Sequence, residues 1–165
     1  MSRLSITSQT EKAFAAYFNA KKSGVLATVN GYEGQSGIPG EEVKLPSAIF
    51  IASEPSQVTY DVQIFEIKLT VKIETSLDTS PTNIQGDMHH KRVSAMRDMI
   101  ENFQVLYAAV NHPLPPATDT RAVRDYTLSC CYYEGEGQGE EDRRIITDLN
   151  YNVVASAIDE MPIEG

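Results

Sequence analysis

The sequence predicts an α+β domain of two layers, in which two helices pack on one face of a mainly antiparallel sheet. Apolar residues alternate with polar ones over 57–75, 126–132 and 145–155, the spacing of strands with one buried face. Over 9–22 and 88–110 they recur instead at the three- and four-residue spacing of amphipathic helices. In chain order the elements read helix, three strands, helix, two strands, which is typical of a two-layer α+β domain.

Size and charge limit the classes of protein to consider. The 165 residues suit a single domain, 1–165, with a core over about 9–157. Fourteen Lys and Arg against 23 Asp and Glu give a net charge of −9, which disfavours binding to nucleic-acid phosphates or to an anionic membrane. Because no apolar run could span a bilayer and residues 1–12 lack a signal-peptide core, we expect a soluble chain that is used without export.

The N-terminal part predicts a helix, a short strand and a glycine-rich loop. Ser8 and Glu11 have the spacing of a capping box, which places a helix over about 9–22. A short strand is predicted over 25–29. The loop 30–42 has a glycine at every third position, but no phosphate-binding Lys-Ser/Thr pair follows it. We therefore expect a mobile connection that could become ordered on assembly.

Residues 47–75 predict two strands separated by a turn. The first strand covers 47–53, and a turn follows at 54–57. The alternation over 57–75 changes phase at Ile64–Phe65, where we place a β-bulge. One strand of this length would span roughly 60 Å, more than the width of so small a domain. It must therefore bend or project, and a projecting strand is suited to joining subunits.

The second half predicts a long helix and a closing pair of strands. After a loop at 76–87, Asp87 is expected to cap a helix over 88–110. An acidic loop, 135–142, joins the two closing strands, and the tail 159–165 is expected to be loose. The predicted buried stripe of the helix consists of Val93, Met96, Ile100, Phe103, Tyr107 and Val110.

The sequence carries no catalytic, cofactor or metal signature. The adjacent His89 and His90 would point about 100° apart on a helix, so we expect surface histidines and not a metal site. The neighbouring Cys130 and Cys131 are expected to be reduced fillers, with a redox switch as the alternative. The acidic residues of 134–142 lack the order of a calcium loop and favour a solvated hairpin tip. The tyrosines at 126, 132, 133 and 151 suit a cross-strand packing ladder or an interface, with a ligand surface as the alternative.

Four segments together resemble a known family. They are YDVQIFEIKLTVKIET, MHHKRVSAMRDMIENF, YTLSCCYYEG and RRIITDLNYNVVASAI. Their order over 9–157 resembles the tail terminator, or tail completion, proteins of long-tailed bacteriophages. The resemblance implies a structural subunit without catalytic residues that forms a ring, usually a hexamer, on the last ring of the tail tube. There it would stop polymerisation of the tube and present a surface to the head connector.

The resemblance also implies a set of partners and a location. We expect contacts with other copies, with the tail tube protein and with a head–tail connector or stopper protein. DNA would pass through the lumen without specific binding, and the protein would lie in the virion after assembly in the host cytoplasm. Candidate interface residues come from the predicted loops, the long strand and the acidic tip: Tyr32, Gln35, Ile38, Tyr60, Val62, Leu77, Ile84, Glu136 and Gln138. The alternatives are another head–tail joining subunit, a stopper or adaptor, or a small cytoplasmic ligand-binding domain or enzyme.

Overall fold

Two helices and five strands make up the part of the chain that the structure, a computed structural model, describes: residues 6–34, 43–57, 64–77, 82–101, 126–141 and 143–157. The helices are α1 (Ile6–Lys21) and α2 (Thr82–Glu101), and a short 3₁₀ helix lies at Gly24–Leu26. The strands are β1 (Asn30–Glu33), β2 (Ser47–Gln57), β3 (Ile64–Ser76), β4 (Tyr126–Glu141) and β5 (Arg144–Ala157).

The five strands form one sheet in the order β1-β2-β3-β5-β4. All neighbouring pairs are antiparallel except β1 and β2, which run parallel. Strands β1 and β4 are therefore the two edges of the sheet. The predicted α+β class with a mainly antiparallel sheet is confirmed.

Both helices cover the same face of this sheet. Helix α1 packs over β1 and β2, where the rings of Phe14 and Phe18 lie 6.4 and 5.7 Å from that of Phe50. Helix α2 packs over β3, β5 and β4. The strand residues beneath the helices alternate along the chain, as the period of two predicts. The most deeply buried of them are Ile67, Leu69, Val71, Ile73, Leu149, Tyr151 and Val153.

The start of the chain differs from the prediction in two respects. Helix α1 begins at Ile6, so Ser8 lies inside the helix and is not its cap. A 3₁₀ turn at Gly24–Leu26 replaces the strand predicted over 25–29, and β1 begins only at Asn30. Leu26 and Val29 are buried three residues apart, which is the repeat of a 3₁₀ turn. The left-handed φ of +61° at Gly24 turns the chain after α1.

The single bent strand predicted over 57–75 is also wrong. Strand β2 continues through the predicted turn at 54–57, with a register shift between Ser53 and Ser56. Gln57 then pairs antiparallel with Phe65 of β3, so the chain has reversed direction between them. The phase change at 64–65 therefore marks the passage between two strands, and β3 pairs with β5 without any shift. Residues 58–63 lie outside the described part of the chain.

Helix α2 begins six residues earlier than predicted. Asp87 is an exposed residue within the helix and not its cap, and residues 82–87 are helical where a loop was predicted. The polar segment TNIQG has no apolar period, which is why its sequence resembles a loop. Val93, Met96 and Ile100 are buried, as the stripe predicts. The rest of the stripe, Phe103, Tyr107 and Val110, lies outside the described residues.

The acidic segment predicted as loop 135–142 is strand up to Glu141. Strand β4 pairs with β5 along its whole length, and the chain turns at Arg143, whose φ is +60°. The sequence of this segment, with glycine at alternate positions, is typical of a loop. The residues between the glycines nevertheless pair across from residues of β5 as in a regular strand. The paired β4 and β5 therefore extend to the end of β3, where the Leu77 N–H donates to the Arg143 carbonyl at 2.9 Å.

Candidate assembly surface

The two edges of the sheet differ in how far their outer backbone groups are satisfied. The Asn30 N–H of β1 donates to the carbonyl of Pro46, just before β2, at 3.0 Å, and the N–H of Gly34, just after β1, donates to the Phe50 carbonyl of β2 at 2.8 Å. In a parallel strand, the backbone N–H and C=O groups of alternate residues point to opposite edges of the strand. Those of Gly31 therefore point away from β2. The Asn19 side chain of α1 bonds both groups there: its Nδ2 donates to the Gly31 carbonyl and its Oδ1 accepts the Gly31 N–H, each at 3.3 Å. Asn19 thus caps the β1 edge.

Glycine is required for this cap at position 31. A Cβ on Gly31 would lie 2.7 Å from Phe18 Cδ2 and 2.8 Å from Asn19 Oδ1, closer than side chains tolerate. A salt bridge of 2.9 Å between Lys12 Nζ and Glu33 Oε2 joins the same helix to the same strand. Helix α1 therefore closes this edge against pairing with another strand.

The β4 edge is long and acidic. It has 16 residues, and within the described sheet no strand lies beyond it. Its four charged residues are all glutamates, at positions 134, 136, 140 and 141. An edge strand presents a row of backbone donors and acceptors on which another strand can pair. Among the described residues, β4 is thus an edge of the sheet that has no strand beyond it.

Two register shifts against β5, at Leu128/Cys130 and at Tyr133/Gly135, bend β4. The second is a bulge in which Glu134 is the extra residue and Gly135 adopts a φ of +146°. The inserted residue changes the phase of the strand, so that Tyr133 and Glu136 lie on the same face, towards α2. The Tyr133 hydroxyl donates to Glu136 Oε1 at 3.1 Å. Glu134 lies on the opposite face, 3.1 Å from Lys68 Nζ.

Beyond the bulge, the two sides of β4 have opposite character. On the side of the helices lie Glu136, Gln138 and Glu140, which pair with Leu149, Thr147 and Ile145 of β5. On the other side lie Gly135, Gly137 and Gly139. A Cβ added to any of these three glycines would meet no atom within 4 Å. From 135 to 140 the strand therefore presents Glu136, Gln138 and Glu140 on one side and bare backbone on the other, and Glu141, which pairs with Arg144, lies at the end of the glycine side.

Arg97 connects α2 to this strand. Its guanidinium carbon lies 4.0 Å from the centroid of the Tyr133 ring, and its Nη2 lies 3.1 Å from Glu101 Oε1. Its Nη1 is 3.8 Å from Glu136 Oε1. The hydrogen bond to Glu101 is the main cause that raises the pKa of Arg97. The guanidinium is thus held between the helix and the strand.

A shallow groove of about 410 Å³ runs between α2 and β4 at this point. His90, Ser94, Arg97, Asp98 and Glu101 of α2 line it together with Glu136 of β4. Three carboxylates against one guanidinium leave the groove negative when His90 is neutral. A basic group alongside β4 would therefore be attracted to it.

The candidate interface residues predicted from the sequence do not form one surface. Glu136 and Gln138 lie on β4, whereas Tyr32 lies on β1 at the opposite edge, where its hydroxyl accepts the Lys44 N–H at 3.1 Å. Leu77 is half-buried beside the turn at Arg143, and Ile84 lies in α2. The other predicted positions, Gln35, Ile38, Tyr60 and Val62, lie outside the described residues.

The prediction that His89 lies on the surface is wrong, because this side chain is fully buried. Its Nδ1 and Nε2 each lie 2.8 Å from a threonine hydroxyl, those of Thr75 and Thr147. Arg92 also donates to Thr75 Oγ1, at 3.1 Å. Burial, helped by the charges of His90 and Arg92, lowers the pKa of His89 to about 4. Both ring nitrogens are thus occupied in a structural network between α2, β3 and β5.

The described residues contain no group of three or more His, Cys, Asp or Glu side chains that could hold a metal ion. None of the helices described is long and apolar enough to cross a membrane. Cys131 is half-buried and is not part of a disulfide within the described part of the chain, as expected of a reduced filler.

Sequence reasoning missed Arg97, Glu101 and the Asn19 cap. The spacing of Arg97 and Glu101 is that of a helix ion pair, a signal that is present in the sequence. Their contact with β4 depends on the bulge at Glu134, which only the pairing with β5 reveals. The Asn19 cap joins residues 12 positions apart and has no local signature.

Comparison with known proteins does not assign the chain to a family. No family model matches the sequence, and no curated protein shows significant similarity to it. Its function must therefore be inferred from its own residues.

Proposed function

We propose that this chain is a structural subunit of a phage neck, of the tail terminator kind. It assembles with its own copies into a ring, a hexamer on the resemblance, which caps the tail tube and stops its polymerisation. The ring joins the tube to the head connector or stopper protein in the virion, and DNA passes through its lumen. In this role the subunit catalyses nothing and needs no cofactor.

The observation that carries the proposal is the difference between the two edges of the sheet. A monomeric protein protects its edge strands, as Asn19 does for β1. Strand β4, in contrast, is 16 residues long and open on its outer side in the described sheet. An edge of this length that is left open in a small domain suits a protein that completes its sheet with a neighbour.

Charge also supports a role in assembly. A ring of more than two copies joins each subunit head to tail to the next, so each subunit needs two different, complementary surface patches, and the rotation between neighbours must close the ring. The net charge of −9 also suits a lumen through which DNA must pass without adhering.

The experiment is to measure the mass of the purified chain by light scattering and to image it by negative-stain electron microscopy. The proposal predicts closed rings with a fixed number of copies. A monomer whose melting temperature rises with a small ligand would instead indicate a ligand-binding domain or an enzyme. Rings that bind head connectors but leave tail tubes unbound would indicate a stopper or adaptor.

A further inference from the structure

We propose that the β4 edge binds an extended strand of a different protein, which carries Lys or Arg towards α2 and bulky side chains towards the glycines. The inference deepens the proposed function and rests on it, since the partner would be a neighbour of the ring in the assembly. The added strand would pair with the outer backbone groups of β4 and so extend the sheet to six strands.

Other copies of this chain offer no suitable strand among the described residues. Pairing β4 with β4 would set glutamates against glutamates, because every charged residue of β4 is acidic. Strand β1 is capped by Asn19. Strands β2, β3 and β5 already have neighbours on both sides. The described strands of a second copy therefore do not suit the β4 edge, and the charges beside it favour a basic strand of another protein.

The chemistry of one side of that strand follows from the groove beside α2. Glu136, Gln138 and Glu140 point to this side, and Asp98 and Glu101 of α2 lie across the groove from the strand. Side chains of an added strand that point towards α2 would enter a space where carboxylates outnumber cations. Lysine or arginine at alternate positions complements these charges.

The chemistry of the other side follows from the bare backbone of β4. Gly135, Gly137 and Gly139 offer no side chains on this side, and the space above them is empty out to 4 Å. Tyr132, 58% exposed, borders the same side of the strand. Large cross-strand neighbours shield strand glycines from water, so aromatic or β-branched residues fit here. The partner strand would therefore alternate basic residues with bulky ones.

A synthetic peptide provides a direct test on the intact chain. The probe is a labelled peptide of about ten residues, the length of an ordinary strand, that alternates lysine with tyrosine and valine. Its binding is measured by fluorescence anisotropy, and hydrogen exchange locates the bound peptide. One control peptide has glutamate in place of lysine, and another has serine in place of tyrosine and valine. We expect both controls to bind at least about tenfold more weakly, and the probe to protect backbone amides within 126–141.

Two matched charge reversals separate local from overall electrostatics. Glu140→Lys changes the β4 edge, whereas Glu66→Lys makes the same change at an exposed residue of β3. Glu140→Lys should weaken binding of the probe about tenfold, and Glu66→Lys less than about twofold. Equal effects of the two substitutions, equal binding of the glutamate peptide, or protection outside β4 would overturn the inference.

The outcome for this inference is independent of the test of ring formation. Rings that do not bind the probe would refute the β4 partner and leave the proposed function standing. Binding of the probe to a chain that forms no ring would support the β4 site and refute the terminator role.

Discussion

Arg97 and Tyr133 join α2 to the β4 edge of the sheet, with the guanidinium carbon 4.0 Å from the centroid of the ring. The contact exists because the bulge at Glu134 turns Tyr133 and Glu136 to the same side of β4. Glu136 Oε1 accepts a hydrogen bond from the Tyr133 hydroxyl and lies 3.8 Å from Nη1 of the same guanidinium. The helix thereby fixes the position of an edge strand that has no neighbour on its outer side in the described sheet.

A double-mutant cycle measures this contact. Arg97→Ala and Tyr133→Leu, made singly and together, should show a coupling of about 0.5–1 kcal/mol in the free energy of unfolding, the size of an exposed cation–π interaction. Lys68→Ala in place of Arg97→Ala provides the control, because Lys68 lies on the other face of the sheet. Additive effects of Arg97→Ala and Tyr133→Leu would show that the contact does not contribute to stability.

Two glycines of edge strands should respond in opposite ways to alanine. Gly31→Ala places a Cβ 2.7 Å from Phe18, so we expect a loss of roughly 1–3 kcal/mol in the free energy of unfolding. Gly137→Ala places its Cβ in open space and should change stability by less than about 0.5 kcal/mol. Urea denaturation of both variants checks the pair. Equal costs would mean that the cap on β1 does not depend on glycine.

Stability should fall on acidification because of His89. Its pKa is about 4 in the folded chain against 6.5 for the ordinary side chain, so the unfolded chain binds the proton more tightly. The contribution of this residue is complete above about pH 6.5 and is lost as the pH falls from there through 4. The shift corresponds to about 3 kcal/mol.

Chemical denaturation between about pH 7 and pH 4 measures this loss. The variant His89→Gln should lose less stability over this pH range than the original chain. The control variant His90→Gln, which changes the exposed neighbouring histidine, should lose nearly as much stability as the original chain. An unchanged pH dependence in His89→Gln would assign the loss to other groups.

Glu11 should contribute to stability through one buried hydrogen bond. The side chain is fully buried, and its Oε2 accepts the Ala52 N–H of β2 at 2.9 Å. Glu11→Ala leaves that N–H without this acceptor, which costs about 1–3 kcal/mol. Glu11→Gln retains an acceptor oxygen and should cost less, and the exposed Glu66→Ala serves as the control. A loss in Glu11→Ala no larger than in Glu66→Ala would contradict this role.

The fold class could be predicted from the sequence, because periods of two and 3.6 mark which side of each element is buried. The predicted boundaries of helices and strands were wrong where the side chains give little periodic signal. The segment TNIQG at the start of α2 lacks an apolar period, and the alternate glycines of β4 resemble a loop. Burial of His89 depends on Thr75 and Thr147, which come from two other elements. Likewise, the bulge at Glu134 that brings Tyr133 and Glu136 to the same side depends on the pairing of β4 with β5, which no local pattern encodes.

Light scattering coupled to size exclusion, repeated across a range of salt concentrations, measures ring formation by the mass of the assembled species. Copies with a net charge of −9 repel one another, and this repulsion is screened as the Debye length falls from about 30 Å at 0.01 M salt to about 3 Å at 1 M. We expect that one closed species with a fixed number of copies, six on the resemblance, becomes populated as the salt concentration rises. A monomer at every salt concentration, or an open-ended ladder of oligomers, would contradict it.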